Sequence, residues 1–150
     1  MKILIATDGS DASKSVIETA CKIISKPEET FVKIISAVES MAPMTAEPFA
    51  VSAEYYAEME VEAANQAKGF VEQSEADLKE ICPNLREVST QVFRGNAAQT
   101  IVESAEEWNA DLIIVGSHGY GFWQRALLGS ISNSVVHHAP CSVLIVRQKK

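Results

Sequence analysis

The chain has 150 residues, 47% of them apolar, and a formal net charge of −7. That length and composition suit one globular domain with a real core, and the acidic balance excludes a general nucleic-acid surface, which needs a basic face. No apolar run approaches the roughly 20 residues of a membrane span, Asp8 comes too early for a secretory leader, and three cysteines without a CxxC pair suggest neither a zinc site nor a disulfide framework, so a cytoplasmic setting is expected.

Lys2 to Thr7 is a short apolar run and predicts a buried strand. Asp8-Gly-Ser-Asp11 breaks it, and Ser10 is expected to cap a helix whose apolar residues Val16, Ile17, Ala20, Cys21 and Ile24 recur at helical spacing. Pro27 ends that unit, and Phe31 to Val38 predicts a second, β-branched strand. Glu39 to Val51, with its prolines and methionines, reads as a loop. Tyr56, Met59, Ala63, Ala67, Phe70, Val71, Leu78 and Ile81 then form the apolar stripe of a long helix from about Ser52 to Ile81. Cys82-Pro83-Asn84 stops it.

Glu87 to Arg94 alternates and predicts a third strand, after which Asn96 caps a helix carrying Ile101, Val102, Ala105 and Trp108. Asp111 to Val115 predicts a fourth strand running into a glycine-rich segment. A short helix from Ser130 to about His138 leads through Pro140 to a last strand, Cys141 to Arg147. Apolar strands separated by helices imply a doubly wound α/β fold, a five-stranded parallel sheet with helices on both faces. Ligands in such folds bind beyond the carboxyl ends of the strands. That places Thr7–Ser10, Val38–Met41, Arg94–Asn96 and Gly116–Ser130 around any site.

The glycine segment reads Gly116-Ser-His-Gly119-Tyr-Gly121-Phe-Trp-Gln-Arg-Ala-Leu-Leu-Gly129-Ser130. One glycine after a strand makes only a turn. Four of them, with Gly-Ser opening a helix, point to a phosphate cradle of free N–H groups, a helix dipole and the Ser130 hydroxyl. An acidic protein needs such local groups to hold an anion. The segment is neither a Walker loop, for want of Gly-Lys-Ser/Thr, nor the dinucleotide fingerprint, which follows a first strand.

Gly116-x2-Gly119-x9-Gly129-Ser130 resembles the ATP-binding signature of the universal stress protein family. Ile-Ala-Thr-Asp-Gly-Ser near the start, Asn109-Ala-Asp-Leu-Ile-Ile-Val-Gly and Pro140-Cys-Ser-Val-Leu-Ile-Val resemble other segments of that family, so the likeness spans the chain. The resemblance implies the strand order 3-2-1-4-5 of the adenine nucleotide alpha hydrolase-like fold. It implies Thr7 and Asp8 at the nucleoside, with Asp8 near the ribose or a Mg2+ ion, and main-chain contacts from Val38 to adenine. It implies Gly116, His118 and Gly119 along the phosphates, closed by Gly129, Ser130 and Ile131, and Ser132 fits the family's polar pattern. Position 118 is often arginine in the family, and histidine carries less lasting charge near neutral pH.

The implied function is an ATP-binding regulatory protein of the stress response, with AMP or another adenine nucleotide as alternative ligand and a protein partner the sequence does not identify. A slow ATP hydrolase or phosphoryl-transfer enzyme is the alternative, and a ligand-free dimerisation module is a third reading. Asp8-Gly-Ser-Asp-Ala-Ser13 also echoes the loop of ATP pyrophosphatases, without its double glycine. Efficient phosphoryl transfer needs metal ligands, a cationic clamp and an orienting residue. Asp8, His118 and Arg125 are the sparse candidates, so no residue is assigned a catalytic role. Trp123 and Arg125 suit a lid or a packed surface, and the Met41, Met44 and Phe49 region a loose connection. His137 and His138 suit the negative end of a helix dipole better than a metal. Val143 to Val146 should lie at a sheet edge, where pairing with a second copy gives a homodimer.

Overall fold

The computed structural model describes residues 1–39, 53–117 and 128–147. The elements are β1 (Lys2–Ala6), α1 (Asp11–Ile23), β2 (Phe31–Val38), α2 (Ala53–Ile81), β3 (Glu87–Arg94), α3 (Ala97–Trp108), β4 (Leu112–Gly116), α4 (Ser130–His138) and β5 (Ser142–Val146). A 3-10 turn, Pro27–Glu29, precedes β2. The strands form one sheet in the order β3-β2-β1-β4-β5, and every neighbouring pair is parallel.

The strands alternate between two cores. Ile3 and Ile5 of β1, Ile34 of β2 and Ile114 of β4 point to one face, where Val16, Ile17 and Ala20 of α1 and Val71 and Leu78 of α2 cover them. Leu4, Ile35, Ile113 and Val115 point to the other, under Ala98, Ile101 and Ala105 of α3 and Val135 of α4. Both faces being covered, the central strands have no polar side. Each fully buried Ile or Leu contributes about 1.5–3 kcal/mol by leaving water.

Two local expectations need correction. Ser10 stands at the N-cap position of α1 but its hydroxyl makes no cap bond; its own N–H instead donates to Asp8 Oδ1 at 3.0 Å. Ile81 does not join the inward stripe of α2: it is 47% exposed while Leu78 is fully buried. One turn beyond Leu78 the inward place falls to Cys82, which packs into the first core. Asn96 does cap α3, its side chain accepting from the Gln99 N–H at 3.0 Å. Asn109 closes that helix in the left-handed region, at φ 53°.

Cys21 of α1 packs against the core cluster that holds Cys82. Burial first, and then the neighbouring Cys82 thiol, push the Cys21 thiol up to about 12. Burial likewise raises Cys141, and the Asp111 carboxylate adds to the rise.

Candidate functional site

A cleft opens at the carboxyl ends of β1, β2 and β4, enclosing about 670 Å3 including the open solvent at its mouth. Its floor is made where strands end: Ala6 of β1 and Thr7 just after it, Ser36 and Ala37 of β2, and Val115 and Gly116 of β4. Its walls come from Asp8, Ser10, Ala12 and Ser13 at the start of α1, Ala97 and Ile101 of α3, and Ile131 and Ser132 of α4. This is the switch point of a doubly wound sheet, where β1's neighbours leave to opposite faces and a crevice must open.

The β1–α1 wall is held by its own hydrogen bonds. The Thr7 N–H extends the ladder by donating to Ile35 O at 2.9 Å. The Thr7 hydroxyl donates to Ser13 Oγ at 2.8 Å and accepts a longer bond, 3.3 Å, from the Gly9 N–H. Gly9 sits at φ +73°, and a Cβ built on it would overlap the ring of Phe70 on α2. Asp8 is exposed at the mouth, and among the described residues lining the cleft it is the one ionisable side chain.

The opposite wall is tied to the end of β4. Ser132 Oγ donates to Gly116 O at 2.6 Å, and Gly129 N–H donates to Ser117 O at 2.8 Å. Ser117 in turn donates its N–H to Val146 O at 2.8 Å, continuing the pairing with β5. The first helical bond of α4 runs from Asn133 N–H to Gly129 O. The N–H groups of Ser130, Ile131 and Ser132 therefore precede it, at the positive end of the helix dipole. Gly129 itself, at φ −58° and ψ 153°, has a backbone that any residue adopts.

Of the residues expected from the sequence, Thr7, Asp8, Gly116, Ile131 and Ser132 come together around the cleft. Gly129 and Ser130 open the helix that supplies one wall. Val38 lies at the end of β2, one residue beyond the floor, with its carbonyl accepting from the Gly95 N–H at 2.9 Å. His118 and Gly119 lie outside the described residues, as do Trp123, Arg125, Met41, Met44 and Phe49. His137 and His138 are in the last turn of α4, their Nδ1 atoms 2.7 and 2.8 Å from the carbonyls of Asn133 and Ser134.

Sequence reasoning missed Ser36 and Ala37 on the floor, and Ser13 and Ala97 on the walls. A small residue inside a strand carries no signal of its own, although Ser36, buried at 4% exposure, is unusual enough in an apolar run to have raised the question.

The universal stress protein family model matches residues 1–147. A Staphylococcus aureus (strain USA300) relative assigned to the universal stress proteins is 30% identical over 99% of this chain and 84% of its own length. Universal stress protein UspA from Lactobacillus plantarum, a solved structure, is 25% identical with a TM-score of 0.81, over 98% of this chain and 97% of that one. The same fold occurs in an Arabidopsis thaliana universal stress protein family protein solved with AMP bound, 18% identical at a TM-score of 0.68, over 99% and 92% of the two chains. Two other solved members are complexes with cAMP and with dAMP. The chain belongs to the universal stress protein family.

Proposed function

We propose that the chain binds ATP, or a related adenine nucleotide, in this cleft and acts as a nucleotide-dependent regulatory protein of the stress response, residues 1–150 working as one cytoplasmic domain. The observation that carries the reading is the convergence on one cleft of the Asp8 carboxylate and the first turn of α4. The open N–H groups of that turn suit phosphate oxygens, and they supply in an acidic protein the local positive potential an anion needs. A carboxylate at the mouth accepts hydrogen bonds from ribose hydroxyls. The floor of Ser36, Ala37 and Gly116 leaves room for a planar base to lie against main chain. Solved relatives holding AMP, cAMP and dAMP support adenine as the base.

A Mg2+ ion fits the donor set, since that ion takes one or two carboxylates together with phosphate oxygens. Asp8 is the residue that would hold it, and the ion would screen the phosphate charge. The sparse catalytic candidates of the sequence, Asp8, His118 and Arg125, favour binding over turnover. Any ATP hydrolysis should be far below the roughly 1–1000 per second of ordinary enzymes. β5 is an edge strand bearing half-buried Val143, Leu144 and Ile145, which supports a homodimer through that edge.

The test is Gly129→Val. Because the backbone at Gly129 suits valine, a loss of binding reports collision with the ligand rather than strain. Losing one or two charge-assisted bonds weakens ATP binding on the order of tenfold to a thousandfold by titration calorimetry. Circular dichroism should show the fold intact. Unchanged affinity would remove α4 from the binding site and with it this reading.

A further inference from the structure

We infer that Phe70, a residue of α2 that does not line the cleft, is a positioning residue for the nucleotide site: its ring rests on Gly9 and fixes the turn that presents Asp8. The inference rests on the nucleotide reading above. Its geometric basis is the packing at Gly9. The turn between β1 and α1 crosses positive φ at this residue, and the space a side chain would fill there is taken by the Phe70 ring. Glycine is the residue with the most backbone freedom to lose, so a ring packed on a glycine-centred turn narrows its conformations beyond what the turn's own bonds do, among them Ser10 N–H to Asp8 Oδ1 at 3.0 Å, Ser13 N–H to Ser10 O at 2.8 Å and the longer Gly9 N–H to Thr7 Oγ1.

Phe70 is well placed for this. It lies half-buried between Ala67, Val71 and Ser74, the buried positions of α2, so its backbone is anchored in the first core while its ring reaches the loop. α2 is thereby linked to a cleft that it does not enter. The ring covers Gly9 from outside, leaving Asp8 facing the mouth. Removing the ring frees the turn to sample other conformations. The apparent affinity then falls by the fraction of time the turn spends in its binding geometry.

The experiment compares the parent with Phe70→Ala, and with Phe70→Leu should the alanine variant fold poorly. In the nucleotide-free protein, NMR should show the Gly9 and Ser10 amide signals shifting and their hydrogen exchange quickening in the variant, while signals from α3 and β5 stay in place. With ATP and Mg2+, the dissociation constant should rise by about tenfold. Asp8→Asn should weaken binding less in the Phe70→Ala background than in the parent, because the carboxylate is then already misplaced. Unchanged Gly9 and Ser10 signals, equal affinities, or strictly additive effects of the two substitutions would each overturn the inference and leave nucleotide binding standing. A parent that binds no adenine nucleotide would overturn the nucleotide reading and this inference together.

Discussion

At the amino ends of β1 to β4 charged and aromatic groups meet one another, whereas at the carboxyl ends of β1, β2 and β4 the side chains shrink and face a cleft. At the amino end, Lys2 donates its backbone N–H to Asp111 Oδ2 at 2.7 Å and its ammonium to Trp108 O at 2.9 Å. Lys2 and Lys33 stand 5.6 and 5.0 Å from the centre of the Trp108 ring, and Arg86 stands 5.6 Å from that of Phe31. The terminal ammonium of Met1 donates to Glu29 O at 2.9 Å. At the carboxyl end the comparable positions are Ala6, Thr7, Ser36, Ala37 and Gly116. One end is closed on itself, and the other keeps donors and a carboxylate for something else. On the proposed function, the contrast separates the groups that hold the fold together from those that would hold a nucleotide.

The sharpest way to break this separation is Gly9→Val, because Gly9 belongs to both jobs. It meets the Phe70 ring and a positive φ at once, and the overpacking and strain together should cost about 2–5 kcal/mol. Urea denaturation should show the loss, and nucleotide affinity should fall with it. A variant within about 0.5 kcal/mol of the parent, the scatter of neutral surface changes, would mean the turn is not set by this contact.

Trp108→Ala attacks the closed end alone. A half-buried indole with two lysines against it should contribute about 2 kcal/mol, below the 3–5 of a full-core aromatic. The melting temperature should drop while ATP affinity stays as in the parent. A matching loss of affinity would show that the two ends are coupled through the sheet.

Asn96→Ala sharpens the comparison from between the two, since α3 starts at the cleft but is capped by its own residue. Loss of the bond to Gln99 should cost about 1 kcal/mol, with at most a few-fold change in affinity. An effect on binding tenfold or larger would place the start of α3 in the ligand's reach.

A further effect is a matter of pH. The Cys21 thiol is raised in the fold from its ordinary 9.0 to about 12, so the folded state favours the protonated, neutral form. Its contribution is fully present below about pH 9 and is lost as pH rises toward 12. Urea unfolding at pH 8 and 11 should show the parent losing more stability across that window than Cys21→Ala. Parallel profiles would mean that the sulfur feels no burial.

Strand positions were legible because a strand covered on both faces must be apolar along its length. Phe31 to Val38, bounded by the Pro27 turn and by Glu39, was read to the residue. The order of the strands came from family resemblance instead, for nothing in the run Ile3-Leu4-Ile5 says which strands flank it. The cleft was half legible. Gly116 follows from the glycine segment at the end of a strand, and Ile131 and Ser132 from the family resemblance. Ser36 and Ala37 did not, because a floor is made by the lack of side chains. The Gly9–Phe70 contact was invisible for a different reason: it joins a turn to a helix far along the chain, and no local periodicity encodes it. Ser10 misled because the Ser13 N–H, which a capping hydroxyl would accept, bonds the Ser10 carbonyl at 2.8 Å instead.

The bond from Gly129 N–H to Ser117 O ties together the two ends of the segment between β4 and α4, and Ser132 Oγ doubles the tie through Gly116 O. A chain segment closed at its base is, in polymer terms, a loop whose entropy of closure grows only with the logarithm of its length, about 0.6 kcal/mol for each doubling. The sheet therefore registers little of what lies beyond that knot. Changing the length of the connection between Ser117 and Gly129 should leave the scaffold's melting behaviour nearly unchanged. In evolutionary terms, this knot lets the connection it closes vary in sequence and length independently of folding.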